Sequence, residues 1–375
     1  MQLRDLQKQY QALKPQMDEA ISEVVSAGTF IQGAPVKELE SQLAAYVGTS
    51  QCVTCANGTD ALRLALMIWN VGPGDAVFVP DFTFFASAEV VASVGATPIF
   101  VDVVPSTFNI DCVDLEKKIQ QTIMDGKLKA RVIIAVDLFG QPADFLPIRE
   151  IADIYQLFVL EDAAQGFGGS IGKDRACSFG DISATSFFPA KPLGCYGDGG
   201  AIFTNRVEWA ETARSFCVHG KGAEKYDNVR IGMNSRLDTL QAAVLQVKLA
   251  AFPEELNRVN MIAECYTRGL SDVVVCPQVP QSFRSSWAQY TIRLASQSQR
   301  DALQSYLKSE AIPTAIYYPR PMHQQTAFSY LNSPAEDCPN AVQLSQTVLS
   351  LPMHPYLTDE EVNLVVSKVK GFLSK

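Results

Sequence analysis

The sequence predicts an α/β protein, with a mostly parallel central sheet in a large domain and a smaller α+β domain at the C-terminal end. Short apolar segments alternate with helix-length segments over residues 51–204, and they lack the period-two pattern of a half-exposed strand. Strands buried on both faces are typical of a parallel sheet covered by helices. The pattern changes after residue 271, and 375 residues are too many for one small core. We therefore expect two domains, residues 1–252 and 253–375.

Two helices are predicted before the first strand. The first occupies residues 1–28 and ends at Gly28, and the second occupies 39–47 and ends at Gly48. Strands follow at 51–55, 76–80, 97–101, 131–137, 158–161, 182–187 and 201–204, with helices at 61–69, 83–94, 113–123, 145–155 and 208–218. Ligands bind beyond the carboxyl ends of such strands, so the segments that follow them should converge.

The C-terminal part begins with a long helix that runs to about residue 252. Pro253 is expected to interrupt it, because proline has no N–H to donate and its ring clashes with the preceding turn. A further helix is predicted over 254–270. The smaller domain then contains strands at 273–275, 289–294 and 313–316 and helices at 300–308 and 359–372.

Charge and composition exclude several classes of protein. The formal net charge is −9 and no block of lysine and arginine stands out, which disfavours nucleic acid or an anionic membrane as the main partner. The N-terminal residues are polar and the longest apolar runs are only strand-length, so we expect a cytoplasmic protein. Nine unpatterned cysteines indicate free thiols, and three scattered histidines do not suggest a metal site.

One lysine, Lys191, lies in an unusual loop of aromatic, proline and glycine residues, TSFFPAKPLGCYGDGG over residues 185–200. Pro189 and Pro192 exclude a regular helix or a central strand there. A lysine held in a stiff loop and partly desolvated has a lowered pKa, which frees a neutral amine to attack a carbonyl. The alternative is an ordinary surface lysine in a turn.

Two other segments complete a constellation. Asn57-Gly58-Thr59 lies between a strand and a helix, where free backbone amides bind phosphate or carboxylate, although a simple turn capped by Thr59 has the same pattern. Glu161 and Asp162 follow a buried strand, where carboxylates are costly unless one meets a cation. A lysine, a strand-end carboxylate, aromatic residues and a phosphate site together describe a site for pyridoxal phosphate.

Six ordered motifs resemble one known family across essentially the whole chain. They are NGTDAL (57–62), PDFTFFA (80–86), EDAAQ (161–165), FGD (179–181), SFFPAKPLGCYGDGGA (186–201) and GMNSRLDTLQAA (232–243). These motifs are similar to those of the DegT/DnrJ/EryC1/StrS family of nucleotide-sugar aminotransferases. The resemblance implies the aspartate-aminotransferase-like fold type I of pyridoxal-phosphate enzymes, and a homodimer with active sites at the subunit interface.

The resemblance also implies a role for each matching residue. Lys191 matches the Schiff-base lysine, and Asp162 matches the partner of the pyridine nitrogen. The other cofactor-binding positions are Gln165 near the ring hydroxyl, Phe84 stacked on the ring, Gly58, Thr59 and Ser186 at the phosphate, and Asn234 reaching the phosphate from the other subunit. Some family members carry histidine at the lysine position and act as dehydratases, so lysine favours transamination, with L-glutamate as donor.

The closest resemblance is to the subgroup acting on UDP-2-acetamido-2-deoxy-3-oxo-glucuronate, which serves surface polysaccharides such as lipopolysaccharide O-antigen. It is carried by residues 312–328 and 230–239. Arg236 is the candidate for binding the uronate carboxylate, with Tyr318 and His323 lining the sugar pocket. Alternatively, Arg236 pairs with Asp238 at a helix start, and His323 is an ordinary loop residue. Thymidine-diphosphate 3-keto or 4-keto 6-deoxyhexoses are alternative substrates.

Two other classes of function stay open. The first is a regulator that binds pyridoxal phosphate without turnover, although the sequence shows no DNA-binding module. The second is a cysteine desulfurase, for which Cys195 or Cys217 would have to act as the nucleophile.

Overall fold

The structure is a computed structural model that describes residues 1–224, 226–334 and 336–374. Within these residues the strands are β1 (Gln51–Cys55), β2 (Asp75–Pro80), β3 (Thr97–Val101), β4 (Lys129–Val136), β5 (Phe158–Asp162), β6 (Ser170–Ile171), β7 (Asp174–Arg175), β8 (Ile182–Ser186), β9 (Gly200–Thr204), β10 (Phe283–Arg284), β11 (Tyr290–Arg293) and β12 (Val348–Leu351). The helices are α1 (Leu6–Ala27), α2 (Ala34–Val47), α3 (Gly58–Ile68), α4 (Ala86–Ser93), α5 (Cys112–Asp125), α6 (Phe145–Tyr155), α7 (Val207–Cys217), α8 (Thr239–Leu270), α9 (Gln297–Ser309), α10 (Pro339–Thr347) and α11 (Asp359–Leu373).

The main sheet has seven strands in the order β1-β9-β8-β5-β4-β2-β3. The pairs β5–β8, β4–β5, β2–β4 and β2–β3 are parallel, whereas β9 is antiparallel to both of its neighbours. All six residues of β2 are buried, as expected for a strand covered on both faces. The predicted α/β class with a mostly parallel sheet is confirmed.

The carboxyl ends of the parallel strands carry polar residues, two of which, Asp162 and Ser186, the sequence analysis selected. Asp162 is the last residue of β5, Asp81 follows β2, and Ser186 is the last residue of β8. Parallel strands present these ends at one edge of the sheet. That edge is therefore where the chemistry-bearing side chains come together.

The prediction that Pro253 interrupts the long helix is wrong. Helix α8 runs without a break from Thr239 to Leu270 with the proline inside it. A proline in a helix interior costs about 3 kcal/mol, whereas each large apolar side chain that α8 buries contributes about 1.5–3 kcal/mol. Phe252, Leu256 and Val259 are all in one core cluster, so packing outweighs the local preference. A domain boundary at residue 252 falls inside this helix, and the two-domain division stays a prediction.

The C-terminal region differs from the prediction in its strands. Strands β11 and β12 pair antiparallel, and β12 and α10 were not predicted. The predicted strands at 273–275 and 313–316 are reduced to single bridges, from Val275 to Arg293 and from Ala315 to Ser350. Among the described residues, no helix combines the length and the apolar character needed to cross a bilayer.

Candidate active site

Asp162 is a buried carboxylate at the end of β5, with 4% of its surface exposed. Ser87 donates its hydroxyl hydrogen to Oδ2 at 2.7 Å, and the Ala164 N–H donates to Oδ1 at 3.2 Å. Burial raises the pKa of Asp162, while these hydrogen bonds and the charge of Lys191 oppose the shift. The carboxylate is thus oriented by two donors and faces a cation.

Lys191 is partly buried in the loop after β8, as its sequence context predicted. Its own N–H donates to Phe188 O at 2.8 Å, which fixes a tight turn at the lysine. Burial lowers the pKa of its amine from 10.5 to about 8; Asp162 opposes this shift and Arg4 adds to it. A shift of this size increases the neutral fraction of the amine near pH 7 by roughly a few hundredfold. The side chain therefore has the properties of a nucleophilic and basic amine.

The start of α3 forms a cradle for an anion. Asn57 caps the helix by accepting from the Asp60 N–H at 2.8 Å, so the capping residue is Asn57 rather than Thr59. The first intrahelical bond comes from Ala61, which leaves the amides of Gly58 and Thr59 free to bind a ligand. A Cβ on Gly58 would lie 2.7 Å from Ser186 Cβ, so glycine lets this helix end approach Ser186 closely.

An aromatic face and an amide lie next to these groups. Phe84 is 53% exposed, and its ring centroid is 6.1 Å from that of Tyr318. Gln165 donates from Nε2 to Tyr318 Oη at 2.9 Å and accepts the Phe139 N–H at 2.7 Å. The charge of Asp162 acts on Tyr318, whose pKa is raised mainly by burial. Tyr318 therefore lies beside the carboxylate and the exposed ring.

Asn234 and Arg236 lie at the surface and line one cavity. Asn234 is exposed and Arg236 partly exposed, and both line a cavity of about 410 Å³ beside Ala56. Arg236 makes no ion pair with Asp238 in the part of the chain that the structure describes, so the helix-start salt bridge is absent there. In a single chain, Arg236 is free to bind an anion.

His323 is buried, in contrast to the open sugar pocket expected around it. Its side chain is 2% exposed, and its ring Nδ1 lies 2.5 Å from Asp81 Oδ2. The backbone N–H of His323 donates to Asp81 Oδ1 at 2.8 Å. Asp81, His323 and Cys338 offer ligand atoms within 4.8 Å of one another, the one such group of three among the described residues. Lys118 Nζ lies 3.5 Å from Cys338 Sγ, so a positive charge already borders this group. We interpret the group as a structural link and propose no metal there.

The two adjacent carboxylates at the end of β5 have different partners. Glu161 accepts the N–H of Cys177 at 2.6 Å and of Phe179 at 2.8 Å, and the Ser183 hydroxyl at 2.6 Å. It meets donors rather than a cation and holds the segment that follows β7. Sequence reasoning missed this role, because the EDAAQ motif does not show which donors Glu161 meets in the fold. It also missed Ser87 as a partner of Asp162, because Ser87 lies outside the six motifs.

The two cysteines considered as desulfurase nucleophiles are buried. Burial raises the pKa of Cys195 to about 11 and that of Cys217 to about 12. Cys195 also donates to Phe187 O at 3.0 Å and to Gly197 O at 3.1 Å. A reactive cysteine needs a lowered pKa and exposure, so this setting does not support a desulfurase.

The donors and acceptors fit pyridoxal phosphate. A helix start next to Ser186 suits the phosphate, a buried carboxylate suits the ring nitrogen, and a basic amine suits the aldehyde. The exposed face of Phe84 leaves room for an aromatic ring. When it is bound, the cofactor supplies an electron sink for the carbon that loses or gains a proton.

Comparisons with known proteins agree with this chemistry. The chain matches the model of the DegT/DnrJ/EryC1/StrS aminotransferase family over residues 11–370. It is 43% identical over 96% of its length to a Pseudomonas aeruginosa protein named UDP-2-acetamido-2-deoxy-3-oxo-D-glucuronate aminotransferase, and covers 97% of that protein. It is 41% identical to a Geobacillus stearothermophilus protein named pleiotropic regulatory protein, over 98% of this chain and 97% of that one. An Acidithiobacillus ferrooxidans protein named UDP-N-acetyl-3-dehydro-alpha-D-glucosamine 3-aminotransferase is 37% identical, with coverages of 98% and 97%.

Solved structures show the same fold with the expected cofactor chemistry. A DegT DnrJ EryC1 StrS aminotransferase from Brucella abortus has a TM-score of 0.98 and 48% identity over the whole of both chains. NtdA from Bacillus subtilis, solved with bound cofactor PMP (the aminated form of pyridoxal phosphate), has a TM-score of 0.87 and 26% identity, over 100% of this chain and 83% of that one. The chain belongs to the DegT/DnrJ/EryC1/StrS aminotransferase family and is a sugar aminotransferase that depends on pyridoxal phosphate.

Proposed function

We propose that this enzyme transfers the amino group of L-glutamate to the keto carbon of UDP-2-acetamido-2-deoxy-3-oxo-D-glucuronate, in the synthesis of a surface polysaccharide such as lipopolysaccharide O-antigen. The observation that carries the proposal is 43% identity, over nearly the full length of both chains, to a protein named for this substrate. The nine free cysteines are compatible with a reducing compartment, and we place the reaction in the cytoplasm.

The site geometry supports a specific division of roles. Lys191 holds the cofactor aldehyde and, once released, moves the proton at the reacting carbon, for which an amine with a pKa of about 8 is well suited. Asp162 would hold the ring nitrogen and favour its protonated form, because a buried carboxylate stabilises a positive charge beside it. The Gly58 and Thr59 amides and Ser186 would hold the phosphate, Phe84 would offer its exposed face to the ring, and Gln165 would lie near the ring hydroxyl.

We assign the carboxylate of the sugar to Arg236 and one wall of the sugar pocket to Tyr318. Arg236 lines a polar cavity with no ion-pair partner among the described residues, and a guanidinium binds carboxylates through paired hydrogen bonds. Glutamate also carries carboxylates, so the same site can accept the donor and the sugar in turn. His323 is buried against Asp81, and we propose that it supports the loop that carries Tyr318 rather than touching the sugar.

We further propose a homodimer in which Asn234 of one subunit reaches the phosphate bound by the other. Several large apolar side chains are exposed in the single chain, among them Phe30, Ile31, Phe84, Phe188, Val229 and Ile231. Apolar patches of this kind mark interaction surfaces. Asn234 is exposed on the same segment as Ile231, which supports its contact with a second subunit.

The experiment is to follow the visible absorption of the bound cofactor. L-Glutamate should abolish the band of the aldehyde form, and the UDP-linked 3-keto-uronate should restore it. A thymidine-diphosphate 3-keto-6-deoxyhexose serves as the matched control, and recovery with that sugar alone would assign the alternative substrate. A band that glutamate leaves unchanged would contradict glutamate as the amino donor.

A further inference from the structure

The N-terminal segment contacts the lysine loop directly, through an arginine that no motif singles out. Arg4 donates from Nη2 to Lys191 O at 2.7 Å and to Pro192 O at 3.3 Å. The preceding residue is tied to the C-terminal region, because Leu3 O accepts the Met353 N–H at 3.1 Å. A residue 187 positions away from Lys191 in the chain therefore holds the backbone of the reactive lysine.

Positive charges outnumber negative charges around Arg4. Glu255 on α8 is the opposing charge that acts on Arg4 within the described part of the chain, while Lys248 on α8 and Lys191 add positive charge. Glu255 is shared with other donors: Gln9 donates to it at 3.0 Å and Tyr356 at 2.5 Å. Among the described residues, Lys248 Nζ is buried without a hydrogen-bond partner and lies 4.3 Å from the centre of the Tyr196 ring.

We propose that Arg4 is a positioning residue for Lys191, which fixes the carbonyls of the lysine loop and keeps a second positive charge beside the amine. This inference rests on the role proposed for Lys191 above. Two groups act on the amine from the elements packed around it, Asp162 on β5 and Arg4 on the N-terminal segment, and they act in opposite directions. Arg4 in turn faces Glu255 and Lys248 on α8 and His354 before α11.

The sign of the effect follows from Coulomb's law. A positive charge beside an amine disfavours its protonated form, so Arg4 lowers the pKa of Lys191, whereas Asp162 raises it. Without Arg4 the amine holds its proton more tightly, so a smaller fraction of it is neutral and able to react near neutral pH. The hydrogen bonds to two successive carbonyls also reduce the freedom of the loop that aims the side chain.

The test compares Arg4→Gln, which removes the charge but keeps an amide donor, with Arg4→Lys, which keeps the charge. Arg258→Met is the matched control, because Arg258 also donates to a backbone carbonyl, Leu357 O at 2.7 Å, but does not contact the lysine loop. The pH at which the visible band of the bound cofactor is half changed should rise in Arg4→Gln by roughly 0.5–1 unit. It should stay near the wild-type value in Arg4→Lys and in Arg258→Met.

A second readout separates this inference from the proposed function. In the full-length protein without cofactor, acylation of Lys191 at pH 7 is followed by peptide mass spectrometry, and Arg4→Gln should slow it about three- to tenfold. This measurement is informative whether or not the protein transfers amino groups to the proposed sugar. Equal rates and equal midpoints in wild type and Arg4→Gln would overturn the inference, as would an equal change in Arg258→Met. If Arg4→Gln does not fold, a midpoint shift of more than about 0.5 unit in Arg4→Lys would overturn it too.

Discussion

The amine of Lys191 and the carboxylate of Asp162 act on each other's proton equilibria within one site. Burial alone would neutralise both groups, lowering the pKa of Lys191 and raising that of Asp162. Each group offsets part of that effect in the other, and Ser87 and Ala164 orient the carboxylate. The result is an amine that can lose its proton near neutral pH, as a catalyst of proton transfer requires.

Lys191→Arg should abolish most of the activity, because a guanidinium keeps the positive charge but cannot lose a proton at neutral pH. We expect the rate of amino transfer from glutamate to fall by about 10²–10⁴. The measurement is 2-oxoglutarate release under saturating donor. Lys8→Arg is the control, since Lys8 is an exposed partner of Glu361, and its rate should equal that of the wild type. Wild-type turnover in Lys191→Arg would disprove the assigned role.

Lys248 makes stability depend on pH. Burial lowers the pKa of its amine from 10.5 to about 8, so between pH 8 and 10.5 the unfolded chain binds more protons than the folded one. The free energy of unfolding therefore increases as the pH rises through that window, because the cost of burying a charged Lys248 disappears. Lys248→Met should stabilise the protein at pH 7 by about 1–3 kcal/mol, and the gain should shrink by pH 10. Urea unfolding at both pH values measures this, and an equal difference at the two values would contradict it.

At the scale of elements, close approach between α3 and β8 builds the anion cradle. Gly58 is the first residue of α3 and packs directly against Ser186. Gly200 is the first residue of β9 and packs against the turn at Asn57, where an added Cβ would lie 2.4 Å from Asn57 O. Glycine is therefore required at these two positions, because any side chain would clash with the neighbouring segment. The strands were predictable because short apolar runs end at clear turn residues, whereas the continuity of α8 was not, because it depends on packing rather than on local preference.

Gly58→Ala should weaken cofactor binding. A methyl group there would lie 2.7 Å from Ser186 Cβ, so the helix start must move away from the residue that shares the phosphate. We expect the dissociation constant for pyridoxal phosphate to rise at least about tenfold, equivalent to 1.4 kcal/mol. Gly72→Ala is the control, since its added Cβ would be 3.7 Å from Val94 O, an ordinary contact. Fluorescence titration with the cofactor compares the two, and equal affinities would refute the steric argument.

At the scale of the whole molecule, the motifs predicted which residues meet but not what supports them. Lys191, Asp162 and Gly58 were selected because each follows a predicted strand, and parallel strands bring their carboxyl ends to one edge. Phe84 was assigned through the family resemblance. The bond from Arg4 to the lysine loop joins residues 187 positions apart, and only the folded chain brings them together. The contact between His323 and Asp81 was not predicted for the same reason, because the two residues lie 242 positions apart.

Ile231→Asp should prevent the proposed dimer from forming. Ile231 is 91% exposed in the single chain, and a charge in an apolar interface is costly to desolvate. Sedimentation velocity should show a monomer. Titration with pyridoxal phosphate should show weaker binding, because the contact proposed for Asn234 of the second subunit would be missing. Val113→Asp is the control, as Val113 is 81% exposed on α5, outside the segment that carries Ile231 and Asn234, and should leave a dimer. A dimeric Ile231→Asp protein would contradict the assignment of this surface.

The central claim is the transfer of an amino group from glutamate to a UDP-linked keto sugar, and isotope transfer tests it most directly. The enzyme is incubated with pyridoxal phosphate, ¹⁵N-labelled L-glutamate and UDP-2-acetamido-2-deoxy-3-oxo-D-glucuronate, and the nucleotide sugar is analysed by mass spectrometry. We predict a UDP-linked amino sugar that carries the ¹⁵N label, and no such product with Lys191→Arg. A keto sugar recovered unchanged, while the wild-type enzyme still converts glutamate to 2-oxoglutarate, would contradict the proposed acceptor.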